Sequence, residues 1–229
     1  MEEFFPQDMF QIFGIGVRDT VVSTWVMMGL VVGIVIIVKH RFPAALEMLI
    51  ISLSDMLSDL MKRPAEPYLP FLGSLALFIA TANIIGAAPM LISPTRDINT
   101  PTALSIVVFF AVHYFGIRAM GALEYFKSLA SPVFLAPLTL PLEIFGQLSR
   151  TLSLTLRLFG NIISTELVVA VIFLLVPLIA PLPLIGFSMF TGLLQAFIFT
   201  ALAAVFIGEG IEATETDVEA NQSTDTERS

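Results

Sequence analysis

The sequence has no cysteine, two histidines and little charge: Asp, Glu, Lys and Arg make up 13% of its 229 residues. Without cysteine there is no disulfide, no thiolate metal site and no thiol nucleophile. His40 and His113 are too few for an imidazole-rich metal centre. An average soluble domain carries about 25% charged residues. A chain with half that share cannot cover a globule of this size in water, so a soluble enzyme is excluded, as are a disordered chain and a collagen-like fibre. Internal repeats are also absent, and no cofactor, metal or nucleic-acid partner is expected.

What the chain does have is apolar. It is 56% hydrophobic with 20 Phe and 10 Met, and its mean hydropathy is +0.90. These values point to an integral membrane protein built of helices. The net charge of −8 is unevenly placed. Residues 209–229 hold seven acids (Glu209, Glu212, Glu215, Asp217, Glu219, Asp225, Glu227) against one base, Arg228, and so carry −6. Residues 1–208 carry only −2 and form one membrane domain, and the polar remainder reads as a flexible acidic tail.

Long apolar runs predict five membrane spans, at about 21–38, 69–92, 101–117, 141–176 and 184–207. The acidic, aromatic N-terminus lacks the basic region of a signal peptide, so the first span is expected to be retained. Residues 44–61 behave differently. Leu46, Leu49, Ile50, Leu53, Met56, Leu57 and Leu60 recur at three- and four-residue intervals, while Glu47, Ser54, Asp55, Ser58 and Asp59 fill much of the other side. That pattern is an amphipathic helix lying at the interface. The stretch 141–176 poses a length problem: about 36 residues make about 54 Å of helix for about 30 Å of hydrocarbon. Either it tilts steeply or it breaks.

Orientation follows from the bases. With these spans Lys39, Arg41, Lys62, Arg63, Arg118 and Lys127 share one side, and only Arg18 and Arg96 occupy the other. The positive-inside rule places the N-terminus outside and the C-terminal tail in the cytoplasm. Trp25 and Tyr68 read as interface anchors, and His40 and His113 as interfacial or packed residues.

The fourth span carries a polar stripe: Glu143, Gln147, Arg150, Ser153, Arg157, Asn161 and Ser164. At about 100° per residue, Glu143, Arg150, Ser153, Asn161 and Ser164 fall within about 40° of Arg157. Glu166 lies about 180° away, so a straight helix cannot pair it with Arg157. On the last span Ser188 and Gln195 share a face, and Gln195 could reach toward the Arg157 side. Buried Asn, Gln and Ser can simply hold helices together, which is the ordinary reading for Ser153, Ser164 and Ser188. Arg157 is different. No acid stands three or four residues away, so a carboxylate from another chain is the natural counter-charge. A self-contained transporter or channel is the competing class, and the missing inverted repeat and internal partner count against it.

The run Ser149-Arg150-Thr151-Leu152-Ser153-Leu154-Thr155-Leu156-Arg157-Leu158-Phe159-Gly160-Asn161, followed by Glu166-Leu167, resembles the signature of the subunit a family of rotary ATP synthases. The segment Leu194-Gln195-Ala196-Phe197-Ile198-Phe199-Thr200, the ending Ile207-Gly208-Glu209 and the loop Thr95-Arg96-Asp97-Ile98-Asn99 are similar to other parts of that family. The resemblance spans roughly Lys62 to Glu209. It implies an all-α fold of five membrane helices plus one amphipathic helix, the last two membrane helices forming a long, steeply tilted hairpin.

It also implies a non-catalytic stator beside a ring of c subunits, with peripheral-stalk b subunits and a soluble head as further partners. Arg157 matches the family's essential arginine. Glu166, Asn161, Gln195, Glu143, Ser153, Arg150, Ser188 and Asp97 are the candidates for lining two aqueous half-channels. Some members carry a histidine where this chain has Ser188, so the relay on that side would rest on Glu166 and water. The coupling ion is set mainly by the ring, with H⁺ expected and Na⁺ the alternative. A bacterial plasma membrane is expected ahead of a plastid thylakoid.

Overall fold

The computed structural model describes residues 8–12, 15–86, 97–123, 125, 136–175 and 181–226. Two short strands, β1 (Asp8–Ile12) and β2 (Ile15–Arg18), pair antiparallel ahead of the helices. This hairpin was not expected from the sequence. The membrane body is all-α: α1 (Asp19–Arg41), α2 (Pro43–Met61), α3 (Leu69–Gly86), α4 (Asn99–Met120), α5 (Ala136–Leu175) and α6 (Pro181–Thr226). The 87–92 part of the second expected span, residue 176, and the positions of Arg96 and Lys127 lie outside the described residues.

Among the described residues five helices are long and apolar enough to cross a membrane, and α2 is not one of them. Its acids Glu47, Asp55 and Asp59 interrupt the apolar surface, as the amphipathic reading requires. Pro43 stands in the first turn, where its missing N–H costs no helical hydrogen bond. At the other end Lys62 adopts a left-handed φ of 54° and its N–H donates to the Ser58 carbonyl. Ser58 also accepts the Ala65 N–H on its hydroxyl at 3.0 Å, which turns the chain toward α3.

The question of tilt against break is resolved for α5. It is one continuous helix of 40 residues with Pro141 in its second turn, about 60 Å long. A rod of that length can keep its apolar stretch within about 30 Å of hydrocarbon only by lying inclined.

The core is organised around α6, which packs on α2, α3, α4 and α5. Its buried residues Ala196, Phe199, Ala203, Ala204, Ile207 and Ile211 recur at helical spacing. They meet Leu72, Leu75 and Ile79 of α3, Val108 and Val112 of α4, and Leu154, Leu158 and Ile162 of α5. Alanines at this centre let the backbones approach, and in a membrane close packing is what holds helices together. Tyr68 is half-buried with its ring edge-on to Phe115 at 4.9 Å, whereas Trp25 on α1 is exposed.

Where a flexible tail was expected from Glu209, the backbone stays helical to Thr226. Residues 211–220 alternate good helix formers (Glu, Ala) with no proline or glycine to stop the turn already propagating from α6.

Gly208 marks the closest approach of α2 to α6: an added Cβ would stand 3.3 Å from both Cα and O of Met61. Backbone cannot swing aside, so Gly208→Val is expected to destabilise the fold by about 1–3 kcal/mol. Thermal unfolding in mild detergent measures this, and an unchanged midpoint would contradict the packing described.

Candidate functional site

Helix α5 is divided lengthwise. Leu154, Leu158 and Ile162, four residues apart, are buried in the core, and Thr155 beside them is buried too. Ser153, Leu156, Arg157 and Ser164 lie on the exposed side. The threonine hydroxyls are satisfied within the helix: Thr151 donates to the Gln147 carbonyl, Thr155 to that of Thr151 and Thr165 to that of Asn161, at 2.8–3.0 Å. Such back-bonding removes the cost of placing a hydroxyl where water is scarce.

The exposed side opens into a cleft of about 270 Å³ lined by Ser149, Arg150, Ser153, Leu154, Arg157, Leu202 and Phe206. Its two arginines have different fates. Arg150 Nη1 donates to Glu209 Oε2 at 2.7 Å, and its guanidinium lies 5.0 Å from the centre of the Phe206 ring. A short charge-assisted bond and a ring face together hold it against α6. Arg157, seven residues on, has no ion-pair or hydrogen-bond partner among the described residues. An arginine near the bilayer centre costs about 2.5–3.5 kcal/mol on insertion scales, which makes an arginine within a membrane span a functional candidate by default.

Across the helix lies a second, much smaller cavity of about 20 Å³, lined by Asn83, Gly86, Asn161, Ile162, Thr165, Glu166, Ser188 and Gly192. That is room for about one water, and the walls offer several polar partners. The expected half-turn between Arg157 and Glu166 is thus realised as two separate spaces. Asn161, at an angle close to that of Arg157, is half-buried and turns toward the Glu166 space. Ser188 joins it from α6. Asn83 is a member that sequence reasoning missed. Its Nδ2 donates to the Gly192 carbonyl at 2.8 Å, tying α3 to α6. The available signal was an amide side chain inside an otherwise apolar span.

Other expected residues fall elsewhere. Gln195 is buried, but it lines neither space and its Nε2 has no hydrogen-bond partner among the described residues. Asp97 is also buried and lines neither. Its oxygens accept from Asn99 N at 3.1 Å and Asn99 Nδ2 at 3.2 Å, shaping the start of α4. Glu143 is exposed at the beginning of α5 and accepts from Gln147 Nε2 at 3.2 Å. It also acts on Tyr125 in the α4–α5 connection, whose phenol is held above its ordinary pKa by burial and then by the Glu143 charge. Among the described residues no group of three or more His, Asp or Glu is placed to hold a metal ion.

The Asn83–Gly192 contact is tight: a Cβ on residue 192 would stand 2.7 Å from Asn83 Cβ. Gly192→Ala is therefore expected to push α3 from α6 and destabilise the chain by about 1–3 kcal/mol. Gly160→Ala, with nothing within 4 Å of its added Cβ, is expected to cost the isolated chain no stability and to gain up to about 1 kcal/mol from helix propensity. Unfolding midpoints of the two variants in detergent compare them, and equal losses would contradict the geometry.

Comparison with known proteins agrees with this architecture. The family model described as "ATP synthase A chain" matches residues 20–208. A relative from Bradyrhizobium sp. (strain BTAi1), "ATP synthase subunit a 2", is 39% identical over 210 residues, 89% of this chain and 93% of its own length. "ATP synthase subunit a 1" of Hahella chejuensis is 37% identical over 86% of both chains. "ATP synthase subunit a 1" of Syntrophotalea carbinolica is 38% identical over 84% of this chain and 85% of its own. Resting on a matched segment that runs from α1 to the Gly208 contact, the conclusion is that this chain belongs to the ATP synthase A chain family.

Proposed function

We propose that this chain is the ion-conducting stator of an ATP synthase membrane sector. It passes protons to and from carboxylates on a rotating c-ring through two aqueous half-channels separated by Arg157. The observation that carries this reading is Arg157 itself, which stands on an exposed face of an unbroken helix with no counter-charge among the described residues. Small residues beside it, Ser153, Gly160 and Ser164, leave space for another helix to approach. The relatives' names, ATP synthase subunit a, agree with the role.

The chemistry follows from solvation. A carboxylate on the ring can enter lipid only when neutral, because the bare charge is too costly there. Close to Arg157 the opposite charge lowers its pKa and the proton leaves. The same cation repels protons and keeps them from crossing directly between the two half-channels. One half-channel is formed by the Glu166 space, with Asn161, Ser188 and Asn83 around room for about one water. The other half-channel includes the cleft at Ser153 and Glu143 at the start of α5.

In this reading the N-terminus is outside, the C-terminus lies in the cytoplasm of a bacterial cell, and b subunits hold the chain still. ATP chemistry stays in the soluble head.

Arg157→Ala is expected to bring proton-driven ATP synthesis below about 1% of normal, the scale of losing one preorganised electrostatic group. The ring and b subunits should still be present in the membrane. Glu166→Gln is expected to slow synthesis far less, because water and Asn161 remain. Inverted membrane vesicles carrying the whole complex measure both. Near-normal synthesis by Arg157→Ala would overturn the proposal, and an equally complete block by Glu166→Gln would make Glu166 obligatory rather than a relay.

A further inference from the structure

Arg150 and Arg157 are separated by seven residues, which is two turns less about 20° and about 10 Å of rise. They line the same cleft. Left to itself, Arg150 would present a second cation along the path of any carboxylate that reaches Arg157. What prevents this comes from 59 residues away: Glu209 on α6 binds Arg150 Nη1 at 2.7 Å, and Phe206, one turn earlier, lies under the guanidinium at 5.0 Å. Glu209 belongs by composition to the acidic tail, yet the helix runs unbroken through it and sets it beside Arg150, both side chains about half exposed. The neighbouring Gly208 seats this turn of α6 on the Met61 backbone, so the position of the acid is anchored from a third helix.

We propose that Glu209 is a positioning residue for ion transfer. By neutralising Arg150 and holding it against α6, it leaves Arg157 as the one uncompensated cation of the cleft, so that a ring carboxylate is captured and discharged at a single point. The assignment rests on the reading of Arg157 given above. Neither partner of the pair touches the transferred proton. The pair decides where along the face the carboxylate stops.

The test uses inverted vesicles holding the complete ATP synthase, with proton-driven synthesis and ATP-driven proton pumping measured against ATP hydrolysis by the head. Glu209→Gln releases Arg150 and is expected to lower coupled synthesis about tenfold, the cost of an ill-placed reacting group. Glu209→Asp keeps the charge and is expected to retain most of it. The deciding variant is Arg150→Gln combined with Glu209→Gln, which removes the competing cation together with its partner. It is expected to recover coupling to within about twofold of normal, because the field at Arg157 is again that of one cation.

A double variant as impaired as Glu209→Gln would make the pair a structural tie and overturn the proposal, as would normal coupling in Glu209→Gln. Loss of the chain from the membrane in both variants would overturn it equally. Arg157→Ala, run alongside, separates the two levels: if it couples, the reading of Arg157 fails. If it is inactive while Glu209→Gln is normal, only the assignment of Glu209 fails.

Discussion

A guanidinium in hydrocarbon is tolerated only where something answers its charge, and this constraint orders the rest of the molecule. Two arginines face one cleft on α5. Arg150 is answered within the chain, by Glu209 and by the face of Phe206. Arg157 is not. The difference is geometric. Phe206 and Glu209 of α6 come alongside Arg150, and Arg157 shares the cleft with Ser153, Leu154 and Leu202. An arginine left in this way fits a site completed by another protein's carboxylate.

The fold serves that site by its lengths and its close contacts. The long helices α5 and α6 run against each other, and the centre of α6 is buried by α3, α4 and the amphipathic α2. One face of α5 is held in the core by Leu154, Leu158 and Ile162, so the opposite side cannot rotate away from where a partner would meet it. The same rotation sends Glu166 to the other side of the helix, into a small space closed by Asn83 and Gly192. Separation of the two polar spaces is therefore a consequence of helix geometry, with no gate required.

Much of this was legible in the amino-acid order. Apolar runs located the spans, the acids of residues 44–61 kept α2 at the surface, and the angle between Arg157 and Glu166 followed from about 100° per residue. Periodicity assigns faces but names no partners. It could not pair Arg150 with Glu209, 59 residues apart, and it grouped Glu209 with the tail because composition changes there. It missed Asn83, whose place depends on α3 meeting α6 at a glycine. Gln195 shows the converse. Its spacing suggested a reach toward the Arg157 side, and the buried side chain lines neither polar space. Asp97 was grouped with the channel residues through its motif, and its oxygens shape the first turn of α4.

The most direct measurement is the surroundings of Arg157 in the intact membrane complex, obtained by cryo-electron microscopy of the ATP synthase that contains this chain. The account predicts that the acid nearest its guanidinium is a ring carboxylate, within about 4 Å or across one water, with Arg150 still on Glu209. Arg157 paired to an acid of its own chain, or turned to lipid with no ring carboxylate passing it, would contradict the account.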